Sequence, residues 1–192
     1  MKALEEKILA EGQVCPGNVL KVGSFLNHRI DVDFMMEMGK EIARLFSDAN
    51  INKIVAIEAS GIAIAVAAAA AMHVPVVFAK KHKTSNIPGD FFSSMVYSFT
   101  HNTEYPVVIS REFLSPEDRV LIVDDFLAHG NALNGLSDIV RQSGGSVEGM
   151  AIAIEKGFQQ GGDKLRAQGM RVESLAIVDE MNDGKIVFRP QD

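Results

Sequence analysis

Cysteine occurs once in this 192-residue chain, as Cys15, and tryptophan not at all. A single thiol excludes an intrachain disulfide framework and a cysteine-rich zinc site. Long hydrophobic runs are missing too: the best candidate, Gly61 to Met72, falls well short of the roughly 20 residues of a membrane span. The N-terminal stretch MKALEEKILAEG carries acids where a signal peptide needs an apolar core, so a cytoplasmic chain is expected. Lys plus Arg number 19 against 25 Asp plus Glu, a balance that argues against non-specific nucleic-acid binding. G-x-G-x-x-G, G-x-x-x-x-G-K-[ST], G-x-S-x-G and H-E-x-x-H are all absent. With them go the ready arguments for dinucleotide binding, a P-loop, an esterase and a zinc protease.

What is present is ordinary for a globular domain: 47% hydrophobic and 23% charged residues. The length predicts one domain over residues 1–192. Lys2 to Glu11 reads as a helix ended by Gly12, and Asn18 to Val22 as a short extended piece before a polar segment, Ser24 to Arg29. Asp31 caps a helix to about Phe46, with Phe34, Met38, Ile42 and Leu45 spaced for one buried face. Lys53–Glu58, Gly61–Met72 and Pro75–Ala79 form a strand–helix–strand unit, which predicts a parallel sheet. The alanines of Ala67 to Ala71 suit close packing of a helix on a sheet.

Lys80 to Ser93 lacks periodicity and contains Pro88-Gly89, the composition of a mobile loop. Ser94–Thr100 and Glu104–Ser110 read as paired strands around His101-Asn102-Thr103. A strand over Arg119–Val123, a helix over Asn131–Gln142 and a strand over Val147–Glu155 follow. Gln160–Gln168 is helical, Arg171–Val178 a strand and Lys185–Phe188 a short edge strand. The expected class is α/β, a mostly parallel central sheet flanked by helices.

The chemistry concentrates in Val120 to Leu133. Four apolar residues end at Asp124-Asp125, and a small-residue loop, Phe126-Leu127-Ala128-His129-Gly130, opens a helix at Asn131. Ligands of open α/β sheets bind beyond the carboxyl ends of the strands, and amides at a helix start suit a phosphate. Carboxylates beside that loop would repel a phosphate unless they face another part of the ligand. A phosphorylated sugar satisfies both, with phosphate on the loop and hydroxyls on the acids. Taken alone, a solvated strand end would carry the same acid pair. Glu58-Ala59-Ser60-Gly61 repeats the layout one unit earlier, although a plain βα turn also looks like this. Lys80-Lys81-His82-Lys83 is either a solvated charged face or a source of positive charge.

The string Asp124 to Ala132 resembles the phosphoribosyl-diphosphate (PRPP) signature of the type I phosphoribosyltransferases, and FLAHGNA resembles the branch of that family acting on xanthine. The family's usual Thr or Ser is replaced here by Ala128 and Ala132, which leaves more of the phosphate contact to backbone amides. The resemblance covers essentially the whole chain. It implies the type I fold with a small hood, residues 1–30, over the base site. It implies transfer of phosphoribose from PRPP to xanthine, giving xanthosine 5′-monophosphate and pyrophosphate in purine salvage. Ala128, His129, Gly130, Asn131 and Ala132 would take the 5′-phosphate, and Ala59, Ser60 and Gly61 the pyrophosphate. Asp124, Asp125 and Lys81 would be catalytic, with Lys80 and Lys83 as competitors for the last role.

In the purine enzymes a lysine at the position of Lys156 reads a 6-oxo group, and Phe158 would stack on the base or simply pack in the core. LKVGSFLNHRID resembles the hood segment, which would bring Asn27 and the Leu20 backbone to the purine. Mg2+ would be bound mainly through PRPP, with no dedicated metal site. A homodimer is expected, with the helices Asp31–Phe46 and Gly61–Met72 as contact surfaces, and neither nucleic acid nor membrane as partner. Two alternatives stay open at this level: a non-catalytic PRPP sensor, and the same transfer to hypoxanthine or guanine.

Overall fold

The computed structural model describes residues 1–81, 90–98, 103–182 and 185–191. In chain order the elements begin with α1 (Lys2–Glu11), β1 (Gln13–Cys15), β2 (Val19–Lys21), α2 (Val32–Leu45), β3 (Lys53–Ile57) and α3 (Gly61–Met72). They continue with β4 (Val76–Ala79), β5 (Phe91–Ser98), β6 (Thr103–Ser110), β7 (Arg119–Leu127) and α4 (Asn131–Gln142). Last come β8 (Ser146–Lys156), α5 (Gly161–Ala167), β9 (Val172–Asn182) and β10 (Lys185–Phe188).

Uninterrupted aliphatic runs such as Val120–Val123 and Met150–Ile154 are buried throughout, the signature of strands covered on both faces. They build a sheet of order β10-β9-β8-β7-β3-β4. It is parallel except for the antiparallel edge strand β10. One face packs on α1, α2 and α3 through residues such as Leu4, Ile8, Met38, Ile42 and Ile64. The other packs on α4, the β5–β6 hairpin and Leu165 of α5. The expected α/β class, a mostly parallel central sheet flanked by helices, is what the chain forms.

Several boundaries differ from the sequence reading. β7 does not stop at Val123. Its pairing with β8 continues through Asp124 opposite Ile152 and Phe126 opposite Ile154, so the two acids lie inside the strand. β9 runs on to Asn182 because β10 folds back on it, with Lys185 opposite Asn182. Phe91 to Ser93, expected in the loop, pair with residues 108–110 of β6. The rest of that loop, 82–89, and the turn at 99–102 lie outside the described residues.

Val14 pairs with Leu20 in a small hairpin that spacing did not reveal. The segment read as polar, Ser24–Arg29, holds two buried residues, Phe25 and Leu26. Among the described residues no helix is long and apolar enough to cross a membrane.

Asp31 caps α2 as expected, its carboxylate accepting from the Phe34 N–H at 3.2 Å. The buried face is rotated, however, and centres on Met35, Met38, Gly39 and Ile42. Two contacts explain the rotation. Phe34 turns aside to meet Phe25 edge-on at 6.2 Å, under the Lys7 ammonium. Gly39 crosses α3 so closely that a Cβ there would stand 2.4 Å from the Ala67 carbonyl carbon. The alanine run therefore serves a helix–helix crossing as well as the sheet. Gly39→Val should separate the two helices and lower stability by about 2 kcal/mol, read as a drop in melting temperature. An unchanged melting temperature would mean that the crossing is loose.

Candidate active site

Chain progress reverses between β3 and β7. From β3 the chain passes through α3 to β4 on one side; from β7 it passes through α4 to β8 on the other. α3 and α4 cover opposite faces. Such a switch point leaves a crevice beyond the strand ends, and the candidate residues gather there.

Asp124 and Asp125 are buried polar residues in the carboxyl-terminal half of β7, and the two-residue strand period sends their side chains different ways. Asp125 accepts a hydrogen bond from the Asn27 side-chain amide at 3.1 Å, which ties the N-terminal segment to the acid pair. The Asp124 carboxylate accepts the Asp125 backbone N–H at 3.0 Å. It also lies so near the start of α3 that Gly61 has no room for a side chain. Burial raises the Asp124 carboxyl well above its ordinary value, the neighbouring Asp125 raises it further, and Lys81 opposes the shift. Burial and the Asp124 charge push the Tyr105 phenol upward as well.

Ala128 to Gly130 turn the chain from β7 into α4. Gly130 takes φ 87° at the helix start, a left-handed conformation that glycine adopts without penalty. The first amides of any helix have no carbonyl partner within it. Here the residues that carry them, Asn131, Ala132 and Leu133, border a cavity of about 220 Å³, lined also by Asp124, Phe126, Ala128, His129 and Gly130. Tyr97 and Tyr105 of the β5–β6 hairpin close its far side. The Asn131 side chain holds that hairpin by donating to the Tyr97 carbonyl at 3.0 Å.

The earlier turn forms a second cavity, about 520 Å³, whose lining includes Asn27, His28, Ala59, Ser60 and Lys81. The Glu58–Ala59 peptide bond is cis. Glu58 accepts the Lys81 backbone N–H at 2.6 Å, and the Lys81 ammonium sits 5.7 Å from the Tyr105 ring centre. The Lys80 backbone pairs with Val108, and Lys83 lies outside the described residues.

Lys156 ends β8. Its ammonium donates to the Asn18 carbonyl at 3.0 Å, in the turn of the β1–β2 hairpin, and lies 5.7 Å from the Phe126 ring centre. Burial lowers its pKa from the usual lysine value. Leu20 is buried in the same hairpin. Phe158 packs against the core on this side of the sheet and borders neither cavity.

The structure thus draws together Asp124, Asp125, Asn27, Lys81, Ala59 and Ser60 with residues 128–132. Lys156 joins them through Phe126, while Gly61 sits underneath rather than in the lining. Phe126, Tyr97 and Tyr105 were not singled out from sequence. The signal for Phe126 was its place directly after the acids; the tyrosines gave none. The arrangement offers amides for a phosphate, carboxylates for hydroxyls, a cation at a second turn and a half-buried ammonium near a flat apolar ring. Among the described residues no group of three or more His, Cys, Asp or Glu could hold a metal ion.

Residues 31–180 match the model of the phosphoribosyl transferase domain, and the chain belongs to the phosphoribosyltransferase family. Curated relatives matched over nearly the full length are xanthine phosphoribosyltransferases. That of Lachnoclostridium phytofermentans is 56% identical over 191 residues, covering 98% of each chain. That of Heliobacterium modesticaldum is 53% identical, covering 98% of this chain and all of its own. Among solved structures, adenine phosphoribosyltransferase from Thermoanaerobacter pseudethanolicus superposes with TM-score 0.74 at 22% identity, over 91% of this chain and 98% of its own. The Giardia lamblia adenine enzyme complexed with 9-deazaadenine gives 0.74 at 19%, over 93% and 98%. At that identity the structures speak for the fold.

The raised Asp124 pKa has a stability consequence with a definite sign. The folded chain holds this proton more tightly than the unfolded chain, whose value is near 3.8. The group's contribution is therefore full below that value and is lost as pH climbs through the raised one. Asp124→Asn removes the loss, so the variant should melt above the parent at neutral pH, by about 2–4 °C per kcal/mol regained. The difference should vanish near pH 4. A lower melting temperature at neutral pH would contradict a costly carboxylate.

Proposed function

We propose that the chain transfers the 5-phosphoribosyl group of PRPP to N9 of xanthine, giving xanthosine 5′-monophosphate and pyrophosphate, a purine-salvage step. The observation that carries this reading is the buried acid pair of β7 running directly into an amide-lined loop, with Lys156 one strand away. The 5′-phosphate lies on the amides of Ala128, His129, Gly130, Asn131 and Ala132. Asp124 and Asp125 accept the ribose hydroxyls. The pyrophosphate lies at Ala59 and Ser60 with Gly61 beneath, close to Lys81.

As the bond from C1′ to the pyrophosphate oxygen breaks, its electron pair leaves with the pyrophosphate and C1′ becomes positive. The acids stabilise the sugar, Lys81 stabilises the leaving group, and N9 forms the new bond as the base gives up its proton, which the pyrophosphate or solvent takes up. Enzymes of this fold use Mg2+ with PRPP. An ion carried in on PRPP would neutralise pyrophosphate charge.

Base choice follows from donors and acceptors. A lysine only donates, so Lys156 suits a 6-oxo group and opposes the amino group of adenine. Asn27 both donates and accepts, which suits xanthine's second oxo group, and the Leu20 backbone completes the contact. Phe126, beneath the ammonium, is better placed than Phe158 to stack on the base. Residues 1–30 act as a hood on a single domain. The full-length relatives named for xanthine support this choice over adenine.

A homodimer and a cytoplasmic location complete the reading. Ile30, Val32, Ile62 and Val66 line an apolar groove along α2 and α3, with Val32 65% exposed. Light scattering at micromolar concentration should give twice the 20.9 kDa chain mass; the single-chain mass would contradict it.

Turnover compared across xanthine, guanine, hypoxanthine and adenine should favour xanthine; preference for adenine or hypoxanthine would overturn the base assignment. Lys156→Ala should lower kcat/KM for xanthine at least about 100-fold while PRPP binding survives, and equal loss of both would give the lysine another role. Because burial lowers the Lys156 pKa, activity should decline with rising pH below the ordinary lysine titration. Lys156→Arg should abolish that alkaline limb.

A further inference from the structure

Next to Lys156 stands a charge that the proposed reaction does not use. Glu155 is fully buried, yet it is held like an ion. Two Arg166 nitrogens donate to its carboxylate at 2.9 and 2.7 Å, and the Ser174 hydroxyl donates at 2.5 Å. The third Arg166 donor reaches the Val172 carbonyl at 3.1 Å. Arg166 therefore strips α5 of freedom by binding it to both β8 and β9.

The other end of α5 meets the phosphate loop. The Gly161 N–H donates to the Ala128 carbonyl at 3.1 Å, and a Cβ on residue 161 would stand 2.2 Å from that oxygen. Backbone lies on backbone there, with nothing compliant between. Beyond Arg166 the network continues outward. Asp163 accepts from Arg189 at 2.8 Å, and Arg189 donates to Asp179 of β9 at 2.8 Å.

A buried ion pair of this kind is weak evidence for stability, since apolar residues of similar volume often do as well or better. Its geometry offers a different use. Glu155 and Lys156 are consecutive on β8, so the anchored carboxylate fixes the strand end that carries the lysine. Through Arg166, α5 and Gly161, the same anchor fixes the loop at Ala128. With the site holding a nucleotide as described above, we propose that Glu155 and Arg166 are positioning residues that set the distance between the base-reading lysine and the phosphate loop. That distance must match the span of a nucleoside monophosphate. Aligning N9 with C1′ depends on it, and an error of about 1 Å in such alignment lowers rates about 100-fold.

The test compares a ligand that spans both ends with ligands that touch one. Glu155→Gln keeps the shape and removes the charge; Ser174→Ala removes a single donor and disturbs the strand little. Binding of xanthosine 5′-monophosphate, of xanthine and of ribose 5-phosphate is measured by calorimetry for both variants and the parent. The expected result for Glu155→Gln is a loss of at least tenfold in monophosphate affinity, with xanthine and ribose 5-phosphate changed less than threefold. Its kcat should fall in parallel while both KM values hold. Ser174→Ala should show the same pattern at about threefold.

A lowered melting temperature with all three affinities unchanged, in whichever variant folds, would make the network merely structural and overturn the proposal. If the parent itself fails to bind xanthosine 5′-monophosphate, the functional reading falls first and takes this inference with it.

Discussion

A carboxylate buried beside another is expensive, and the site is organised around offsetting that cost at Asp124. Removal from water and mutual repulsion both work against the charge on Asp124. The surroundings return part of that cost. The Asp125 amide faces Asp124, the Asn27 amide faces Asp125, and the positive charge of Lys81 is felt at Asp124. In the proposed reaction, a ligand with hydroxyls and a cationic carbon would recover the remainder. A fold selected only for stability would have continued the aliphatic run of Val120–Val123 instead.

The sheet supplies the rest of the geometry. β3, β7 and β8 are neighbours, about 4.8 Å apart, and each ends in a different chemical device. β3 ends in the turn beside Lys81, β7 in the acids and the amide loop, and β8 in Lys156. A parallel ladder thus sets the spacing of these groups. The N-terminal segment then closes over them through two polar contacts, Asn27 to Asp125 and Lys156 to the Asn18 carbonyl.

Much of this was legible in the chain itself. Unbroken aliphatic runs announced buried parallel strands, and a capping Asp31 announced α2. A glycine after a short loop announced the start of α4. Periodicity failed where a few specific contacts outweighed it. Phe34 leaves the buried face of α2 for an edge-on ring and a lysine, and β7 outlasts its apolar run because ladder pairing tolerates two acids. The hairpin at Val14 and Leu20 is too short to show a period. Within the site, the acids, the loop and Lys156 stood out by type and order. Tyr97 and Tyr105 could not, because only tertiary packing of the β5–β6 hairpin brings them to the cavity beside Gly130. Glu155 and Arg166 were equally silent, since a buried ion pair reads in sequence as two unremarkable charges.

The most direct measurement is a crystal structure with xanthosine 5′-monophosphate bound. The account predicts the 5′-phosphate on the amides beside Gly130, the ribose hydroxyls on Asp124 and Asp125, and the base between Phe126 and the hood with its 6-oxo group on Lys156. A phosphate seated away from Gly130, or a ribose that leaves both aspartates untouched, would contradict it.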